Sequence, residues 1–183
     1  MPFAVILDTC VLYPAHLRDT LLRLAEQDLY QALWSADIIE ELRRNLVEEG
    51  FDRESVDRLC AEMQGAFPDA EVSGYQPLLG SMTCDPKDRH VLAAAVRSNA
   101  AAIVTFNLDD FPDSSVAPYE IDVIHPDRFL LDLLDLAPST VIAELERQAA
   151  ANRREPRTLS GLLDALGRAG VPLFGDEVRG RPR

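Results

Sequence analysis

Asp8, Glu41, Asp88 and Asp110 are far apart in the chain, yet each falls where a carboxylate can do chemistry. Asp8 ends the apolar run Phe3-Ala4-Val5-Ile6-Leu7. Asp88 lies in the first turn of a helix opened by Asp85-Pro86-Lys87. Asn107, Asp109 and Asp110 follow a second apolar run, AAIVT, that ends at Thr105. Clustered carboxylates repel one another and raise each other's pKa unless positive charge sits among them. Oxygen donors without His or Cys favour Mg²⁺ or Mn²⁺. Such an ion suits a phosphodiester, because it lowers the pKa of an attacking water and neutralises charge on the phosphate. Taken singly, each acid also has a plainer reading. Asp8 can cap a turn, Asp88 can match a helix dipole, Asp110 can be a turn residue and Glu41 a solvated helix charge. Their convergence on one edge favours the chemical reading. Thr9 and Thr105 are placed to orient carboxylates or a water, or simply to cap strand ends.

The elements that must position these groups are legible in the apolar patterning. The continuous runs at Phe3–Leu7 and Ala101–Thr105 read as strands covered on both faces, hence a parallel sheet. In such sheets the ligand crevice lies outside the carboxyl ends of the strands, which is where Asp8 falls. Leu17, Leu21, Leu24 and Leu29 recur at helical spacing, and Tyr30–Trp34 reads as a short strand. Ser35 then opens a helix with Ile38, Ile39, Leu42 and Leu46 inward and Gly50 at its end. At about 100° per residue, Glu41 lies about 60° from Ile38 beside the apolar stripe, whereas Glu40 faces water. Asp52 caps a helix running to Phe67, Ala70–Val72 is a short edge strand, and Ser73–Met82 reads as a loop. Asp85 suits an N-cap and Pro86 the first helical position. Ile121–Ile124 is a further strand, and strands alternating with helices favour an α/β fold. After about Asp127 only helical patterns remain, three of them, the last stopped by Gly170 and Pro172. The expected organisation is residues 1–127 as an α/β domain with a central parallel sheet, and 128–183 as an all-helical C-terminal extension. We expect that extension to dock a partner or another copy of the chain.

Composition narrows the function classes. The 183 residues are 47% hydrophobic, enough for a packed core. Lys plus Arg number 18 against 31 Asp plus Glu, for a net charge of −13, which argues against non-specific nucleic-acid binding through a broad basic face. It leaves open a nucleic-acid enzyme whose metal supplies positive charge locally. Lys87 is the sole lysine; with Arg43, Arg44, Arg89 and Arg97 it reads as a surface charge or a phosphate contact. Cys10, Cys60 and Cys84 show no paired spacing and read as reduced packing residues. His90 and His125 lack metal-like spacing, and Trp34 reads as core. The apolar start is too short for a leader and no run approaches a membrane span, so a soluble, cytoplasmic protein without membrane contact is expected.

These residues together resemble the PIN-domain ribonucleases, and in particular the VapC toxins of bacterial toxin–antitoxin pairs. VILDTCVL is similar to the family's opening strand with its first metal-binding Asp, here Asp8. Ile39-Glu40-Glu41-Leu42 resembles the helix carrying its Glu-Leu pair, and DPKDRHVLAAAV the segment carrying the third acid, Asp88, with Asp85 a further acid common in this branch. IVTFNLDDFP resembles the strand and loop of the fourth position. There the family often has Asp where this chain has Asn107, so either Asp110 takes over or Asn107 ligates through its amide oxygen. Cys10 stands where Asn is frequent. The resemblance covers about Phe3 to Asp127, and the helical tail is similar to an extension of one VapC-like subgroup.

What the resemblance implies is a PIN-like three-layer fold and a Mg²⁺- or Mn²⁺-dependent endoribonuclease. Its metal ligands would be Asp8, Glu41, Asp88, Asn107 and Asp110, supported by Thr9, Asp85 and Thr105. Its partners would be an RNA substrate and a cognate antitoxin, with a homo-oligomer, a dimer, expected. Two other readings stand beside it. One is a binding protein that kept the fold and lost the chemistry. The other is a phosphoacceptor module of receiver or phosphatase type. It fits poorly, since a phosphatase of that kind wants a second Asp where Cys10 stands and a receiver wants a late lysine.

Overall fold

A computed structural model describes residues 2–181 of the chain. Five parallel strands form one sheet in the order β3-β2-β1-β4-β5: β1 Ala4–Leu7, β2 Gln31–Ser35, β3 Glu71–Val72, β4 Ala102–Val104 and β5 Asp122–Ile124. Strand β1 is central, and Val5, Ile6 and Leu7 are wholly buried, as a strand covered on both faces requires. The order turns about β1: β2 and β3 lie on one side, β4 and β5 on the other. That reversal opens a crevice at the carboxyl ends of β1 and β4. The pairing Leu7↔Val104 places the next residues, Asp8 and Thr105, side by side at its floor.

Helices α1 Thr9–Leu12 and α2 Ala15–Glu26 connect β1 to β2; α3 Ala36–Glu48 and α4 Arg53–Ala66 connect β2 to β3. A six-residue 3₁₀ segment, Gln76–Ser81, occupies the stretch expected as loop. Helix α5, Arg89–Ser98, leads to β4, and the short α6, Asp113–Val116, leads to β5. The caps follow the sequence. Ser35 Oγ accepts from Ile38 N at 3.1 Å and Asp52 from Ser55 N at 3.0 Å. Gly50 follows the end of α3 with φ +106°, a conformation glycine adopts without a Cβ penalty.

The C-terminal segment holds four helices, not three: α7 Pro126–Leu136, α8 Pro138–Ala151, α9 Leu159–Arg168 and α10 Pro172–Gly180. Pro172 starts a helix where a stop was expected. Its ring suits a first helical position, and the cap comes from far away in sequence. The buried Asp127 carboxylate accepts from Leu173 N at 3.0 Å and Phe174 N at 2.7 Å. Helix α8 packs on α2 through a buried polar pair: Thr20 Oγ1 donates to Gln148 Oε1 at 2.7 Å, and Gln148 Nε2 to His16 O at 3.0 Å. Phe129 of α7 meets Tyr30 edge-on at 5.0 Å. The apolar core therefore runs from the sheet into these helices without interruption. No helix among the described residues is long and apolar enough to cross a membrane.

Candidate functional site

Asp8 leaves β1 and caps α1, so its carboxylate is fixed on both oxygens. Thr9 N donates to Oδ1 at 2.7 Å and Thr105 Oγ1 to Oδ2 at 2.8 Å. Cys10 Sγ adds a weak contact to Oδ2 at 3.5 Å, and accepts from Phe106 N at 3.3 Å. Burial and the adjacent Asp8 charge push the Cys10 thiol up to about 12, so it stays protonated and acts as a donor here. Thr105 Oγ1 also accepts from Asn107 N at 3.0 Å, which ties the loop after β4 to the same carboxylate. Thr9, the first residue of α1, and Thr105, just past β4, thus hold Asp8.

Helix α3 brings the next acid. Thr9 Oγ1 lies 3.2 Å from both Ile38 O and Glu41 Oε2, linking α3 to the Asp8 turn. Glu41 faces the crevice, whereas Glu40 pairs outside with Arg43 at 2.5 Å. Asn45 and Glu48 continue the Glu41 face of α3 into the same cleft, joined by Glu49 at the helix end. Their i, i+4, i+7 spacing from Glu41 was there to read and carried no motif. His90 Nε2 approaches Glu41 Oε2 at 3.7 Å, and its buried Nδ1 has no partner. No role is assigned to it from the sequence.

Asp88 comes from the other wall. Pro86–Asp88 is a 3₁₀ turn, not the first turn of α5; Asp85 caps it by accepting from Lys87 N at 3.1 Å. This tight turn directs the Asp88 side chain inward, where the residue is only 9% exposed. Burial pushes its carboxyl up to about 6, with Lys87 opposing and the Asp8 charge adding to the rise. Lys87, read as a surface charge or a phosphate contact, is exposed and reaches back among the acids. Its Nζ donates to Asp110 Oδ2 at 2.7 Å and Asp88 Oδ2 at 3.0 Å, and lies 3.8 Å from Asp85 Oδ1. That ammonium holds the Asp110 carboxyl below the usual carboxylate range.

A cleft of about 530 Å³ results, lined by Asp8, Thr9, Cys10, Tyr13, Glu41, Asn45, Glu48, Glu49, Lys87, Asp88 and Asn107. The structure thus brings Asp8, Thr9, Glu41, Asp88 and Asn107 to one cleft. Asp110, Asp85 and Thr105 do not line it but are joined to it through Lys87 or Asp8. Of the cations read as flanking the crevice, Lys87 alone lines it. Arg43 is engaged with Glu40 and Asp57.

The donor chemistry of this cleft fits a hard divalent cation: its charged ligand candidates are carboxylates, with an amide oxygen at Asn107. Among the described residues, no three His, Cys, Asp or Glu side chains already stand as a metal-holding group.

A doubly wound parallel sheet with acids gathered at the switch point now meets independent comparisons. The model of the PIN domain matches residues 4–109, and the chain belongs to that family. The model of the VapC50 C-terminal domain matches residues 126–180. The chain is 48% identical over 106 residues to "Putative ribonuclease VapC50" of Mycobacterium tuberculosis (strain ATCC 25618 / H37Rv), a match covering 58% of this chain and 62% of that protein. The matched region thus spans less than two thirds of the relative's length. No solved structure matches significantly.

Proposed function

We propose that this chain is a Mg²⁺- or Mn²⁺-dependent endoribonuclease that hydrolyses RNA phosphodiester bonds, the toxin of a toxin–antitoxin pair held inactive by a cognate antitoxin. The observation that carries this reading is the meeting of Asp8, Glu41 and Asp88, from three separate elements, in one cleft. Membership of the PIN-domain family and the printed name of the relative, a ribonuclease, support the substrate class. A divalent ion bound there would supply Lewis acidity and a water of lowered pKa.

In this reading Asp8 is the anchor ligand, because Thr9 and Thr105 fix both its oxygens before any ion arrives. Glu41 and Asp88 approach from opposite walls and complete the set. Asn107 offers a neutral oxygen, and Asp110 acts through Lys87. Glu41, with His90 beside it, is placed to orient a water and accept its proton. A chain of net charge −13 repels RNA at long range, so the cation must also provide the local attraction.

The purified chain with Mn²⁺ should cleave RNA, EDTA should stop it, and Asp8→Asn should reduce the rate by about 10²-fold or more. Cleavage that persists both in EDTA and in Asp8→Asn would overturn the proposal. One set of observations favours the second reading, a PIN-fold binding protein without catalysis: Asn107 is neutral and Lys87 sits among the acids. Calorimetric titration with Mn²⁺ separates the two, since a degenerate site binds none.

A further inference from the structure

Lys87 is the chain's sole lysine, and it lies among the acids of the cleft. Its Nζ makes hydrogen-bond contacts to two carboxylates, Asp110 at 2.7 Å and Asp88 at 3.0 Å, with Asp85 at 3.8 Å. The framework around it is built by backbone bonds: Asp85 N donates to Asp110 O, and Asp88 N to Asp85 O. These hold the Pro86–Asp88 turn against the loop after β4, so that Asp88 and Asp110 face one another across a gap the ammonium fills. Asp110 has no other cation partner among the described residues. On the far side of Asp88 the cleft is different. Among the described residues Asp8 and Glu41 have no Lys or Arg ion pair there, and Asn107 adds no charge.

Two-metal nuclease sites hold their ions roughly 3.5–4 Å apart, so a second ion would have to sit beside the first among neighbouring carboxylates. Here Asp88 lines the cleft with Asp8 and Glu41 and shares Lys87 with Asp110, so it joins the two groups of acids. An ammonium and a divalent cation cannot share the gap between Asp88 and Asp110. We infer that Lys87 takes the place of a second cation, so that the chain binds one divalent ion, on the Asp8–Glu41 side of Asp88, with the lysine as the fixed second positive charge. This inference rests on the metal-dependent reading above and goes beyond it in assigning Lys87 as a positioning residue and fixing the stoichiometry.

The test is Mn²⁺ titration calorimetry on the full chain and on Lys87→Met, Lys87→Arg and Asp8→Asn, with circular dichroism to confirm folding. The lysine side chain is 63% exposed, so its replacement leaves the core intact. The expected ratios are about one Mn²⁺ for the wild type, about two for Lys87→Met and about one for Lys87→Arg, whose guanidinium keeps the charge. Asp8→Asn should weaken the wild-type site by about tenfold or more. About two Mn²⁺ on the wild type, or a Lys87→Met titration indistinguishable from it, overturns the inference and leaves the metal-dependent reading standing. A wild type that binds no Mn²⁺ removes both.

Discussion

Asp88 carries the pH behaviour expected of the metal-free site. Its folded carboxyl is raised to about 6 by burial, above the usual value of 3.8. Between those values the folded chain binds more protons than the unfolded one, so the stability contributed by this group is present below about pH 4 and is lost as pH rises through about 6. Asp88→Asn removes the buried charge, and should stabilise the chain by about 1–3 kcal/mol at neutral pH. That gain should vanish near pH 3.5, as read by urea unfolding at the two pH values. The same proton competes with a metal ion, so Mn²⁺ affinity should fall as pH drops below about 6. Asp8, Glu41 and Asp88 could be read from the sequence because each adjoins a patterned element. Lys87 could not: nothing in Asp85-Pro86-Lys87-Asp88 tells whether a long flexible side chain turns outward or back over a loop from residue 110. The contacts of Cys10 and His90 were not legible for a related reason. Their partners, Thr105 and Glu41, are distant in the chain.

At the scale of elements, local rules went far. Ser35, Asp52 and Asp85 all cap as their positions require, and the Val/Ile/Leu runs lie inside the sheet. Ser35→Ala deletes a fully buried cap of α3 and should lower stability by about 1 kcal/mol, visible as a lower urea midpoint. Because Glu41 rides on that helix, Mn²⁺ affinity should weaken with it. The elements that escaped the sequence were those stabilised from elsewhere. Helix α10 begins at Pro172 because Asp127 satisfies its first amides. The turn at Gly170 is dictated by packing. Its φ is +107°, and a Cβ there would lie 2.6 Å from the Phe106 ring, which itself meets His125 edge-on at 5.2 Å. Phe106 adjoins Asn107, so the C-terminal helices press directly on the loop that lines the cleft.

The whole molecule behaves as one packed body in which the tail is structural. The 127/128 boundary drawn from the sequence passes through α7. Helix α2 would lose its packing against α8 and α9 if the tail were removed, and the buried Thr20 hydroxyl would lose Gln148. A chain ending at residue 127 should therefore aggregate or bind a hydrophobic dye, and lose cooperative unfolding, by size-exclusion chromatography and thermal denaturation. A soluble, cooperatively folded truncation would show that the two segments are separable. The docking of a partner or another copy expected of this tail would then fall to its outer surface, where Leu136 and Leu173 are each more than 60% exposed.

Asp127 has a practical bearing on any attempt to transplant the tail. It lies one residue inside the segment that the second family model matches, and two stations downstream of the last strand's histidine neighbour, His125. A graft spliced at or before 125 carries its own keystone for the final helix. One spliced just after 127 inherits whatever residue the recipient happens to offer, and the seam would come undone some forty-odd residues away, at Leu173 and Phe174.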